Sequence, residues 1–495
     1  MTTTSGKAAL TVTHWLIIII ASLGFLFDTY QLLMTPLVGP QAISELLKVP
    51  LSNQAVSEWM GNLLWLSALS GGVFGLLGGW LTDRLGRKFV MALGIFVYSF
   101  SPVAGAFSHT LPTFIFWRCA TFVGVCIEFV AAITWIAEVF TDKAQKEKWL
   151  GITQLFASLG GVLVTAVSFW IVAHGKDLPH LGMPMALGAA DPASWRYLLL
   201  TGIIPALLIA LMLPFVPESK IWKARKLAGT LKRPSFGALF SPEFRRVTLI
   251  TAGLSACAYG IAFGALQLTP GRIAPGLPNL TEQRAKLKPL VVEAKKLNAV
   301  FDATAPNSPE RHAALAPIIT NLKAQKPIMD QVKEVGSKTQ FYQEIGGLIG
   351  RIALALLLIA GMGRRLMLRL LQVPGMLILP LTYFMLYKQD AAVFSWGIAC
   401  AGFVVMSQLS FLGEYLPKVF PMYLRGTGGS FATNVGGRMI GTSAAFLTPK
   451  IAQMFSKTPS YDEMARAAGC VGLSIAVIAV ILGLFLPEPK AEVES

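Results

Sequence analysis

The sequence predicts an all-α membrane protein of twelve transmembrane helices, arranged as two six-helix bundles with both termini in the cytoplasm. Three observations carry this. Only 14% of the 495 residues are charged while 54% are apolar, and the mean hydropathy is +0.60. Twelve apolar runs are long enough to cross ~30 Å of hydrocarbon, which takes about 20 helical residues. Basic residues gather in alternate linkers between those runs. A soluble domain carries about 25% charged residues, so ordinary soluble enzymes, disordered chains, collagens and disulfide scaffolds are excluded by composition. The net charge of +16 lies mostly in short linkers rather than on a soluble face, which fits membrane topology and not nucleic-acid binding.

The runs are 15–38, 59–81, 89–108, 112–138, 148–173, 195–216, 246–268, 341–362, 367–388, 392–416, 427–451 and 467–487. With the N-terminus inside, the inner segments hold 21 Lys and Arg, whereas the short outer loops hold five: Lys48, Lys176, Lys388, Lys457 and Arg466. No cleavable signal peptide is expected, because the first run is long and Asp28 interrupts it. The runs divide into a bundle at 1–216, a basic cytoplasmic linker at 217–245 with short membrane-surface helices, and a second bundle at 246–495. The polar stretch 269–340 reads as an external helical insertion, a hairpin continuous with the following span. Its second helix is expected to start at Ser308-Pro309-Glu310, with Ser as N-cap and Pro in the first turn. The five cysteines all lie in apolar runs without a CxxC and read as packing residues.

The loop after the second run is the sharpest motif. Gly75, Gly79, Asp83, Arg84, Gly86, Arg87 and Lys88 combine glycines four apart, which allow close helix approach, with a turn and a compact charge cluster. Asp83 can hold the basic groups and cap a helix end, forming a latch that is made in one conformation and broken in another. Glu138, at the inner end of the fourth run, is expected to join it. With this spacing the chain resembles the major facilitator superfamily, which implies a twelve-helix fold with the solute path between two halves. Pro217-Glu218-Ser219 resembles the sugar-porter-like members, and so does the stretch Leu416 to Gly428, which contains Arg425. Glu218 and Arg425 thereby enter the latch set. In the stretch from Leu416, Lys418 stands where relatives commonly carry Glu. The loop after the eighth run keeps Gly363-Arg364-Arg365 but has Ala360 in place of the acid, so a weaker second latch is expected. Asn434-Val435-Gly436-Gly437-Arg438 also resembles these relatives.

An ionisable side chain inside a bilayer costs at least a few kcal/mol, so such residues mark function by default. Asp28 lies mid-run and reads as a proton carrier. Arg118, Glu128 and Glu138 recur ten apart along the fourth run. From its estimated depth, Arg118 is expected to pair with Asp28, and Glu128 needs a partner or a proton. Arg351 either binds a substrate carboxylate, which its planar fork suits, or pairs with an acid on another helix. Arg438 has the same two readings, with pairing favoured. Gln31, Gln154, Tyr259, Gln267 and Gln408 are candidates to line a path, and Tyr30 to stack on a ring. The patterns around Asp28 and along the fourth run resemble metabolite:proton, sialate:proton and aromatic-acid:proton symporters, which implies organic-acid cargo. Many of those relatives have a second Asp where Gln31 stands, so no acid pair is expected there.

No HExxH or Walker loop occurs, so no enzyme, metal or cofactor is expected. The expectation is a proton-coupled symporter of a small organic acid, working by alternating access as a monomer in the plasma membrane, or the inner membrane of a Gram-negative cell. Its partners would be a small-molecule solute, protons and the lipid bilayer, with no nucleic acid. The alternatives are a sugar or polyol symporter, a drug exporter of the same fold, or a non-transporting sensor that uses the external hairpin.

Overall fold

The computed structural model describes residues 10–49, 54–140, 143–174, 177–184, 192–229, 235–304, 309–457 and 459–487, and among them there is no strand. The first half contains α1 (Val12–Leu47), α2 (Gln54–Leu85), α3 (Arg87–Ala106), α4 (Leu111–Val139), α5 (Lys143–His174) and α6, an apolar helical run over Ser194–Phe215. A short linker helix, α7 (Lys220–Leu227), follows. The second half contains α8 (Arg245–Gly264), α9 (Thr281–Ala303), α10 (Pro309–Ile359), α11 (Arg364–Pro380), α12 (Ala391–Val419), α13 (Arg425–Ser430), α14 (Ala444–Phe455) and α15 (Tyr461–Leu484).

Among the described residues, eleven helical runs are long and apolar enough to cross a membrane. The chain is a multi-pass membrane protein. The predicted run 427–451 falls on a continuous helical path that changes character along its length. It comprises α13, a π-helical segment at Phe431–Ile440, a 3-10 turn at Gly441–Ser443, and α14. Gly426, Gly428, Gly429, Gly436, Gly437 and the two arginines dilute its hydropathy and weaken its α-helical preference.

Caps set several boundaries. Thr11 accepts from His14 N at the start of α1, and Thr110 accepts from Thr113 N at the start of α4. Asp390 accepts from Ala392 N before α12, and Ser460 forms a capping box with Glu463 before α15; each side chain satisfies an otherwise orphan helix N–H. α1 runs nine residues past the expected edge at 38, with Pro36 and Pro40 inside it, as membrane helices tolerate.

The apolar core follows the same division. One cluster of buried side chains runs from Ile17 to Val216, and three smaller ones draw on residues from Leu239 to Leu486. α10 has 51 residues, about 76 Å of helix, of which only Glu334–Ile359 is apolar enough to span. The remainder projects and packs against α9 around Ala294, Phe301 and Ile318. There Asn321 Nδ2 donates to Leu290 O at 3.2 Å and to Glu293 Oε2 at 2.9 Å. Arg284 ties the hairpin's base through Pro275 O and Leu277 O, both at 2.9 Å. Ser308, the expected N-cap of α10, lies outside the described residues.

At the hairpin end of the first half, Arg196 is 1% exposed and joins three elements. Its Nη2 and Nε donate to Glu45 Oε1 at 2.6 and 3.1 Å, and its Nη1 donates to Ala106 O and Ser108 O. Trp195 Nε1 donates to Glu45 Oε2 at 2.7 Å. Removing one member of a buried pair leaves the other charge without compensation, at a loss of about 3–5 kcal/mol. Glu45→Ala should therefore lower the melting temperature of the purified protein sharply. Lys286→Ala, which breaks the exposed pair with Glu282, should leave it unchanged.

Candidate functional site in the buried charges between the halves

Two groups of buried charges lie where the halves meet. One closes the end of the bundle that carries the linker and the Arg/Lys-rich loops, here called the basic end. Asp83, 2% exposed at the end of α2, accepts from Gly426 N at 3.0 Å and from Thr427 N and Oγ1, both at 2.8 Å. It thus acts as the N-cap of α13 from the opposite half. Arg87 is 1% exposed. It donates to Glu138 through Nε at 3.0 Å and Nη2 at 2.8 Å, to Thr82 O at 2.8 Å, and to Asp83 and Met422 O at 3.4 Å. Glu138 also accepts from Ser219 Oγ at 2.6 Å and pairs with Arg425 at 3.5 Å.

Gly86 turns the chain with φ +108°, and a Cβ there would strike Glu218. That carboxylate accepts the backbone N–H groups of Arg87 and Lys88 at the start of α3. Trp222 Nε1 of the linker helix donates to Asp83 O at 2.9 Å. Gly79 leaves space for Ser430, whose hydroxyl donates to Gly75 O at 2.7 Å. Arg84 is exposed and lies over the Trp80 ring, 4.9 Å from its centre.

The second group sits deeper. Asp28 of α1 and Glu128 of α4 are 5% and 0% exposed, and their carboxyl groups interact electrostatically across the α1–α4 contact. Among the described residues, no donor reaches any of their four carboxyl oxygens. The Tyr98 side chain of α3 lies beside both acids. The seam that holds α4 against α3 is tight, since a Cβ at Gly94 would come within 2.9 Å of Glu128 N and Gly124 O. From the second half, Arg438 on the π segment interacts electrostatically with Asp28 and Cys126 and sits beside Tyr259. Its guanidinium lies 5.8 Å from the Phe129 ring centre, and Nη1 donates to Asn434 Oδ1 at 2.9 Å. π segments often occur at functional sites; this one aims Arg438 across the interface.

One expectation is corrected here. Asp28 and Arg118 do not pair. Arg118 is fully buried, and its Nη2 donates to Thr35 Oγ1 at 2.6 Å and Gln31 O at 3.0 Å, with Nη1 near Met34 Sδ. The cause is depth. Because α1 ends at Leu47, Asp28 lies about 13 Å deeper below the helix end than a boundary at 38 implied. The second Asp expected to be missing at Gln31 is missing, but a different acid, Glu128 of α4, interacts with Asp28.

The other candidates are placed as follows. The Tyr30 hydroxyl bonds to Thr201 Oγ1 at 2.6 Å, inside the first half. The Gln31 side chain is buried against Gly202 of α6. Tyr259 stacks on Phe263 with ring centres 6.1 Å apart. Arg351 of α10 lies against Met406 Sδ at 3.9 Å and interacts with Glu344 and Tyr259. Gln408 is 4% exposed on α12 and Gln267 is exposed near the hairpin's base. The Gln154 side chain lies outside the described residues. Sequence reasoning missed the parts Ser219 and Thr427 play in the latch, and missed Glu414 altogether. Glu414 is 1% exposed and pairs with both Arg364 at 3.2 Å and Lys418. The signal for it was an acid in an apolar run, one helical turn before a lysine.

Comparison with known proteins agrees with this architecture. The structure matches that of the proton:xylose symporter XylE bound to 6-bromo-6-deoxy-D-glucose, with a TM-score of 0.64 over 97% of each chain at 17% identity, a likeness of fold. Among sequences, the chain is 34% identical over 155 residues to the glucose transport protein of Synechocystis sp., covering 31% of each. It is 25% identical over 211 residues to the niacin transporter NiaP of Acinetobacter baylyi, covering 42% of this chain and 41% of that protein. The matched stretches thus span only about a third to two fifths of these relatives. The family profile of the Major Facilitator Superfamily matches residues 9–281, more than half of the sequence, and the chain belongs to that superfamily.

Proposed function

We propose that this chain is a secondary transporter that carries a small organic acid together with a proton by alternating access. One observation carries the reading: Asp28 and Glu128 face each other, buried, with no other donor to their oxygens. Two ionised carboxylates so placed repel strongly in a low-dielectric bundle. A single proton held between them removes that repulsion, so the pair is suited to take up and release a proton. Arg438 belongs to the other half, and any motion of one half against the other changes its distance from the pair. On the same side, Arg351 offers a guanidinium and Tyr259 a hydroxyl to a solute carboxylate.

Supporting the acid as cargo, niacin, named for one relative, is itself a carboxylic acid. A second reading, symport of a sugar, is favoured by the glucose and xylose in the names of the other two matches. The excess of Lys and Arg at the basic end supports an orientation with that end, and both termini, in the cytoplasm. The latch around Asp83 then closes the cytoplasmic side, and solute enters from the side of the hairpin. Arg84 and Lys88 anchor that loop at the headgroups, while Gly79, Gly86, Glu138, Glu218 and Arg425 hold the latch with Asp83 and Arg87.

In proteoliposomes with an inward proton gradient, the wild type should accumulate nicotinate, whereas Asp28→Asn should only equilibrate it. Accumulation of D-glucose or D-xylose with no uptake of nicotinate would support the sugar reading instead. Asp83→Ala should open the basic end. Spin labels at the exposed positions 85 and 366, in a Cys400→Ser background, should show a longer distance distribution than with Asp83 intact. An unchanged distribution would mean that Asp83 does not hold the halves together.

A further inference from the structure

Glu128 can lie beside Asp28 only because of what it lies over. A Cβ built on Gly24 would collide with the Glu128 carboxyl group, and its three nearest heavy atoms are Glu128 Oε1, Cδ and Oε2. Gly24 sits four residues before Asp28 on α1, so both share one helix face, a turn apart. The carboxyl group therefore rests across the bare backbone at Gly24 and meets Asp28 one turn further along. Glycine within a helix is unfavourable relative to alanine, and no turn or positive φ calls for one here, because Gly24 lies in the interior of α1.

We infer that Gly24 is a positioning residue for proton coupling: it is the seat that brings the Glu128 carboxyl to Asp28. The inference rests on the proton-coupled reading above. A methyl group at this position meets only the far end of a flexible side chain, so the fold can absorb it by swinging Glu128 away. The pair is then separated while helix packing is kept. The other groups around the pair act from elsewhere: Tyr98 from α3, Cys126 from α4, and Arg438 with Tyr259 from the second half. Gly24→Ala displaces none of them directly.

The test uses the full-length protein in proteoliposomes with nicotinate as probe, and a double-mutant cycle read by melting temperature in detergent. Gly24→Ala should cut accumulation driven by a proton gradient by at least about tenfold. Nicotinate counterflow, which needs no net proton movement, should stay within about threefold of wild type. Gly24→Ala should lower the melting temperature of the wild type by about 3 °C. In the Glu128→Ala background the same change should leave it equal or raise it, since the clash is gone and alanine favours the helix. An equal fall in both backgrounds, or full gradient-driven accumulation by Gly24→Ala, overturns the inference. Should the wild type itself show no gradient-driven uptake, the functional reading fails, and the melting-temperature cycle still decides whether Gly24 seats Glu128.

Discussion

A helix that begins inside a protein must have its first N–H groups satisfied, and α13 meets that requirement with a carboxylate from the opposite half. Asp83 accepts from Gly426 and Thr427, in the second and third positions of the helix, where an N-cap side chain of its own would otherwise bond. The path that starts there continues through the π segment to Arg438, thirteen residues on, roughly 15–20 Å along the axis. The cap that closes the basic end and the guanidinium beside the acid pair thus ride on one continuous element. A motion that pulls α13 from Asp83 also shifts Arg438 relative to Asp28 and Glu128. Both contacts of this element lie across the interface between the halves, so it is placed to join the two charge groups.

The two halves use related chemistry unequally. In each, an arginine at the start of a helix pairs with a glutamate on the next: Arg87 with Glu138, and Arg364 with Glu414. In the first half this network reaches outward, because Glu138 also meets Arg425 and Arg87 also meets Met422 O. In the second half Glu414 takes Lys418 from its own helix, and Arg365 bonds to Leu486 O. With Ala360 where Asp83 has its counterpart, no carboxylate extends from that loop to cap a helix of the first half. Among the described residues, the basic end therefore has one inter-half cap rather than a symmetric pair.

Much of this was legible in sequence because bilayer physics is blunt. Apolar runs of fixed length, alternation of basic linkers and glycines four apart do not depend on tertiary detail, and the hairpin continuous with its span followed from a helix-forming polar stretch abutting an apolar run. What escaped depended on register between helices. Pairing Asp28 with Arg118 rests on counting residues from a helix end at 38, whereas α1 continues to Leu47. Glu128 was recognised as needing a partner, but the partner was set by which faces of α1 and α4 meet, a relation that spacing along either helix does not encode. The N-cap role of Asp83 was foreseen in kind, whereas its recipient, 343 residues away, was not.

The acid pair also explains why Arg118 and Arg438 cannot exchange roles. Arg118 belongs to the same half as both carboxylates and is held by Thr35 and the Gln31 carbonyl, so a rigid-body motion between halves leaves its distance from the pair unchanged. On the proton-coupled reading proposed above, only a charge carried by the other half can report that motion to the Asp28–Glu128 pair. Arg438 meets that condition, and Gly437 within its π segment and Gly441 just after it let Tyr259 pack closely. Coupling a proton to a rocking interface requires the titrating pair on one side and its modulating charge on the other, and that is how the buried charges of this chain are distributed.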